Sequence, residues 1–282
     1  MPLFPPWTPP PLPPDPADGD QDDGNRDDGD QAAGNGDDAN EGQHRPPQPP
    51  AAPALGPIAP QGRFGSARYH VGQFASTGSN SNMRRGLGHY VNKGLQGSAN
   101  AVHRFGGTTQ TAGSFYNALS TIASGGAQTG SPLDRNLLAG KSAQEVMDAI
   151  IEAARPVDGT QDAEAARDAM QRALAALLDQ YPNADLLDLT EEERLFAVER
   201  YLARDVFNRA WLDLGKSFMK NAASAASALS RMKDIADYIR ETVAAQFRRL
   251  RTLGETLSPR KVGGLARDAL REAFQVFEVD AT

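Results

Sequence analysis

The sequence predicts an all-α protein with a disordered Pro/Asp/Gly-rich N-terminal arm, a small Gly/Arg-rich helical module and a C-terminal helical bundle. Three observations carry this. After residue 62, apolar residues recur at steps of three and four, the period of one helix face. No segment shows sustained period-two alternation, so sheet is not expected. The first 62 residues are dominated by Pro, Asp and Gly, with too little apolar surface to offset the entropy of ordering a chain. The expected boundaries are 1–62 for the arm, 63–130 for the basic module and 131–282 for the bundle.

The arm opens MPLFPPWTPPPLPPDP. Proline at this density blocks helix and strand and favours an extended polyproline II chain. Leu3, Phe4 and Trp7 stand out among the prolines. They read either as a short docking motif or as aromatics lying loosely on the protein's own surface. A run of Asp, Gly and Asn follows, and from Thr8 to Gly62 eleven acidic residues face two arginines. The run lacks the ligand spacing of a calcium loop and the helices that flank one. It reads as a solvating, self-repelling linker, extended by RPPQPPAAPALGPIAP.

The charge balance inverts at Arg63. The net charge of −7 splits into −9 for the arm and +2 for the rest. Residues 63–122 hold no carboxylate and six cations: Arg63, Arg68, Arg84, Arg85, Lys93 and Arg104. Phe64, Ala67, Tyr69, Val71 and Phe74 suggest a first short helix that ends at Gly78. Ser79–Ser81 then offers an N-cap for a second helix that carries Met83, Leu87, Tyr90, Val91, Leu95, Ala99, Val102 and Phe105 on one face. Gly86, Gly88, Gly94 and Gly97 lie inside that pattern, each costing about 1 kcal/mol against Ala. Their presence predicts close approach of another backbone or order gained with a partner. Gly106–Gly107 is expected to stop this helix. A third helix follows, with Ala112, Phe115, Tyr116, Leu119 and Ile122 inward, and ends at the loop SGGAQTGSP.

The bundle is expected to begin at Leu133–Leu138. Ser142 with Glu145 and Thr190 with Glu193 are capping boxes. Between them a helix runs from about Gln161 to Tyr181, with Met170, Leu174, Leu177 and Leu178 inward. The helix after Thr190 carries Leu195, Val198, Leu202, Val206, Phe207, Trp211 and Leu214, and Gly215 is expected to break it. A small-residue segment, NAASAASALS, leads into a helix with Ile235, Ile239, Val243 and Phe247 inward. Ser258–Pro259 is an N-cap with proline at the first helical position, opening a last helix faced by Val262, Leu265, Leu270, Phe274 and Phe277.

Searches for chemistry return little. The chain has no cysteine, which removes disulfides, thiol nucleophiles and thiolate-ligated zinc. Gly140-Lys141-Ser142 and Gly215-Lys216-Ser217 lack the earlier glycine and preceding strand of a phosphate-binding loop, and read as helix punctuation. His70, His89 and His103 match no zinc spacing. No group assembles nucleophile, base and orienter, so neither an enzyme nor a cofactor is expected. No apolar run is long enough to span a membrane, and no secretory signal opens the chain. A cytoplasmic protein is expected. The six cations could meet nucleic-acid phosphates, an acidic partner or solvent.

The LFPPW opening, the acidic Pro/Gly linker and the RF-x-x-AR start of the basic module form one set of marks. LLAGKSAQEVMDAIIEAARPVDGTQDAEAARDAM and the T-x-E-E helix ending in ARDVFNRAWLDLGKSF form a second. Together the chain resembles the QatB family, a component of the four-gene Qat anti-phage defence systems of bacteria. The resemblance covers residues 1–8 and 63–282. It implies a non-enzymatic accessory or scaffold subunit encoded beside a P-loop ATPase, a QueC-like enzyme and a TatD-like nuclease, or a protein substrate of that set. It also implies that Leu3, Phe4, Pro5, Pro6 and Trp7 form a partner-docking segment. The family's N-terminus often begins Met-Gly-Thr-Ser before this motif. The family's QueC-like partner implies nucleobase chemistry on that terminus; here the sequence starts at Met1-Pro2-Leu3, directly on the motif, so either its start is misassigned or trimmed or this member lacks the glycine.

Overall fold

A 31-residue helix, α8 (Glu191–Asn221), is the axis on which the other helices pack. It begins where the sequence places a capping box. Thr190 accepts the Glu193 amide, and the Glu193 carboxylate accepts the Thr190 amide. The computed structural model describes residues 62–250 and 257–281. Ten α-helices and one π-helical turn, with no strand, make up their regular structure. The arm, with its expected disorder, lies outside the described residues.

In chain order the helices before α8 are α1 (Gly65–Thr77), α2 (Asn80–His89), a π turn (Tyr90–Gly94), α3 (Ser98–Arg104), α4 (Gly106–Ala123), α5 (Arg135–Leu138), α6 (Ala143–Ala154) and α7 (Gln161–Gln180). After it come α9 (Ala225–Leu250) and α10 (Pro259–Val279). α8 packs against α1, α4, α7 and α9; α10 packs against α2, α3, α4 and α9. Helices of the basic stretch and of the bundle therefore share one core. Phe74 of α1 meets Phe218 of α8 at 6.5 Å between ring centroids. Phe115 of α4 meets Tyr201 of α8 at 5.9 Å, and Phe105 meets Phe274 of α10 at 5.0 Å. All six rings are buried. Truncating a buried Phe to Ala at such a site costs about 3–5 kcal/mol.

The local signals hold at most helix ends. Gly78 closes α1 in the left-handed conformation with φ 75°, which glycine adopts without a Cβ penalty. Ser142–Glu145 forms the reciprocal box of α6. Ser258 caps α10, with Pro259 in its first turn.

Two expectations fail. The single helix drawn through Met83–Phe105 is instead α2, a π turn and α3. The Leu95 amide bonds the Tyr90 carbonyl and the Gly97 amide the Val91 carbonyl, so the ladder widens. Gln96 and Gly97 then take φ 65° and 93°, which turns the chain before α3. The helix does end before Gly106–Gly107, as expected, but no loop follows. Phe105 serves as C-cap of α3 and N-cap of α4, and the two glycines open α4, where few intrahelical bonds are at stake. Gly215 does not break α8. A Cβ there would lie 2.8 Å from Cε2 of Trp211, so the glycine makes room for the indole. The burial of Leu214 and Phe218 on either side outweighs a propensity cost of about 1 kcal/mol.

The glycines inside the second helical pattern do meet close neighbours. A Cβ on Gly86 would lie 2.6 Å from Cγ2 of Val71, one on Gly88 2.4 Å from the Ala281 amide nitrogen, and one on Gly94 2.4 Å from the Phe64 ring.

Candidate functional site

The basic stretch folds into α1, α2, the π turn, α3 and most of α4, and its six cations separate by what they touch. Phe64 stacks on Tyr90 at 5.3 Å. The Arg63 guanidinium lies over the Phe64 ring at 4.4 Å and that of Arg68 at 5.7 Å, a favourable cation–π geometry. Arg68 Nε also donates to the Asp213 carbonyl at 3.0 Å, and Lys93 Nζ to Ser66 Oγ at 3.4 Å. Arg84 lies over Tyr238 of α9 at 5.3 Å. Arg84 and Arg85 border a small cavity of about 430 Å³ beside Asp280. Arg68, Arg84, Arg85, Lys93 and Arg104 are exposed, and Arg63 is half-buried.

Asp213 of α8 is the counter-charge to the first group. It accepts the Tyr90 hydroxyl at 3.1 Å. Burial pushes its carboxyl up, while Tyr90, Arg63, Arg68 and Arg104 pull it down. Burial and the Asp213 carboxylate together push the Tyr90 phenol well above its ordinary range. Tyr90 opens the π turn, so the widened ladder sits at the join between the cationic helices and α8. Arg63, Arg68 and Arg104 thus share one field, which Asp213 partly neutralises.

His70 and His89 stack at 5.1 Å, and His70 Nδ1 pairs with Asn82 Oδ1 at 3.2 Å. Burial, then Lys93, His70 and Arg85, push the His89 imidazole down. His103 is exposed on α3. No group of three or more His, Asp or Glu that could hold a metal occurs among the described residues. Leu3, Phe4, Pro5, Pro6 and Trp7 lie outside the described residues.

Two arrangements escaped sequence reading. One is a buried network under α4. Asp205 accepts the Thr108 hydroxyl at 2.5 Å and Arg209 Nε at 2.9 Å. Arg209 also reaches Asp162 at 2.7 Å, and Tyr201 donates to the Thr108 carbonyl at 3.3 Å. Burial pushes the Asp205 carboxyl up against the pull of Arg209 and Thr108. Burial would lower Arg209, but Asp205 and Asp162 outweigh it and raise it. The network ties α4, α7 and α8 together. The other is a set of arginines on α8, facing α7 and α9. An arginine repeated at helical spacing reads as a solvated face, and nothing local reveals its neighbours.

No helix among the described residues is long and apolar enough to cross a membrane. Residues 96–277 match the family model described as QatB, Qat anti-phage system associated protein. The match runs from the bend before α3 into the last turn of α10, so of the six cations only Arg104 falls inside it. No curated protein and no solved structure matches the chain.

Proposed function

The chain belongs to the QatB family of Qat anti-phage system associated proteins, and from that premise we propose that it is a non-enzymatic accessory or scaffold subunit of the defence assembly. In this reading it contacts the P-loop ATPase, the QueC-like enzyme and the TatD-like nuclease of the system, and serves them as a scaffold or as a protein substrate. Residues Leu3–Trp7 and the cations of α1–α3 carry the contacts. One observation supports the second surface. Tyr69 is 62 % exposed on α1, within a stretch that holds five exposed cations and no carboxylate. Tyrosine and arginine are enriched where proteins meet.

The test is recovery of the tagged full chain from cells expressing it with its operon neighbours, read by intact mass. Co-recovery of the neighbours is expected, and added mass on the chain would mark it as a substrate. Phe4→Ala with Trp7→Ala, and separately Arg85→Ala, Lys93→Ala and Arg104→Ala together, should each cut recovery several-fold. Thermal unfolding should not change, because these cations are exposed. A chain recovered alone would overturn the subunit reading. Undiminished recovery of both variants would overturn the assigned surfaces.

A second reading is a nucleic-acid sensor, favoured by the exposure of Arg84, Arg85, Lys93 and Arg104. It predicts affinity that falls linearly in log–log form with salt. Neutralising Arg84, Arg85 and Arg104 should abolish binding. Flat salt dependence would sink it.

A further inference from the structure

The groove between α7 and α9, floored by α8, is lined by four arginines, Arg172, Arg200, Arg204 and Arg240, against two carboxylates, Asp179 and Asp237. Arg200 and Arg204 stand one turn apart on α8 and line a cavity of about 600 Å³. Each guanidinium lies over a phenyl ring of its own helix, Arg200 over Phe196 at 4.6 Å and Arg204 over Phe207 at 5.0 Å. The rings cover the apolar faces of the guanidinium groups and leave their N–H edges for hydrogen bonds. Those edges are undersupplied. The Nε atoms of both Arg200 and Arg204 are buried and have no hydrogen-bond partner.

Arg172 of α7 and Arg240 of α9 line the same cavity. Arg240 is answered by Asp237 at 2.6 Å. Asp168 is divided: it accepts Arg172 Nε at 2.9 Å and Asn208 Nδ2 at 3.0 Å, and lies 3.7 Å from Arg204 Nε. Arg200 has no ion pair among those formed by the described residues. Burial pushes both α8 guanidinium groups down; Glu199 opposes this at Arg200, where Arg240 and Arg248 add to it, and Asp168 opposes it at Arg204, where Arg172 adds to it. Like charges held together under partial burial are costly unless an anion joins them. The walls carry small side chains, Ala173 and Ala176 on α7 and Ala236 on α9, which keep the groove open.

We propose that this groove is a binding site for a phosphate monoester, held by the guanidinium groups of Arg200 and Arg204 with Arg172 and Arg240 at its sides. A phosphate monoester carries nearly two negative charges at pH 7 and three acceptor oxygens. It can therefore bridge more guanidinium forks at once than a carboxylate with its two oxygens. The cavity exceeds the size of a phosphate group and falls in the range of sites for small organic ligands. The alanine walls and Phe rings offer apolar cover for the organic part, so a nucleotide-sized ester fits better than the free ion. The site lies wholly within the family-matched region and is independent of the proposed partner surfaces.

Trp211 reports on the groove, because its indole stacks on Phe207 at 5.8 Å. Trp7 is the chain's other tryptophan, so the full chain with Trp7→Phe has one. Inorganic phosphate, adenosine monophosphate and an aspartate-rich peptide are titrated separately, with fluorescence and calorimetry as readouts. Saturable one-to-one binding of adenosine monophosphate is expected, weakened about tenfold or more by Arg200→Met with Arg204→Met. Tighter binding of the nucleotide than of phosphate assigns the organic part a role; equal binding assigns the source to free phosphate and still supports the site. If the double variant does not fold, Arg172→Gln with Arg240→Gln tests the same groove from its sides. The proposal is overturned by absence of saturable phosphate or nucleotide binding, by binding that survives in the folded variants, or by saturation with the acidic peptide alone.

Discussion

Replacing Gly86 by alanine tests whether α2 lies against α1 as closely as the fold requires. An added Cβ would sit 2.6 Å from Val71 Cγ2 and 3.2 Å from the Val71 amide nitrogen, well inside the ~3.5–4.0 Å of an optimal contact. Val71 is 2 % exposed and β-branched, so its rotamer has little freedom to yield. Overpacking of this kind costs about 1–3 kcal/mol, set against a helix-propensity gain of about 1 kcal/mol. Because Val71 has little room to yield, the cost falls in the upper half of that range, and the net expectation is a loss of about 1–2 kcal/mol, or roughly 2–8 °C in Tm for a folded part of this size. Gly264 of α10 is the control, since a Cβ there meets nothing within 4 Å. Gly264→Ala should therefore gain about 0.5–1 kcal/mol from propensity alone. Val71→Ala removes the colliding methyl, so in a double-mutant cycle it should relieve Gly86→Ala by about 1 kcal/mol or more. Urea denaturation of the full chain gives all four stabilities. Additive effects of Gly86→Ala and Val71→Ala, or a Gly86→Ala chain as stable as the parent, would refute the close packing of these helices.

Asp205→Ala should destabilise the chain by about 3 kcal/mol or more, because it leaves the half-buried Arg209 guanidinium and the buried Thr108 hydroxyl without their acceptor. Asp162 still holds Arg209, which keeps the loss near the lower end, and a denaturation shift under 1 kcal/mol would contradict it. Glu145 should contribute to stability in a pH-dependent way. The Ser142 amide and hydroxyl, with Lys141, hold its carboxyl down to about 2. A lowered folded-state pKa means the contribution is complete above the unfolded value, about 4.3, and is lost as the pH falls towards 2. The stability difference between the parent chain and Glu145→Gln should therefore shrink across that window, and a difference constant from pH 5 to pH 2.5 would rule the capping role out.

The sequence by itself determined the class of the fold and most helix ends. Capping boxes at Ser142 and Thr190, the proline after Ser258 and the left-handed Gly78 are contacts within a few residues. Their chemistry is complete in a short window of chain. Apolar periodicity likewise named most inward residues, since a helix face is fixed by its own pitch, though Tyr69 and Ala99 of those patterns are exposed. Tertiary structure alone decided the rest. Whether a glycine breaks a helix depends on what stands opposite: Gly215 faces Trp211 and the helix continues, whereas Gln96 and Gly97 turn the chain after a π turn. The cations of the basic stretch read as one group, but Arg68 and Tyr90 find Asp213 across 145 and 123 residues of chain, and Arg84 finds Tyr238. The α8 arginines carried no reading in the sequence, because their significance comes from α7 and α9 on either side. Local hydrogen bonds and periodicity involve neighbours in sequence. Charge crowding, close backbone approach and burial depend on which distant segments share a space, and only the packed chain fixes that.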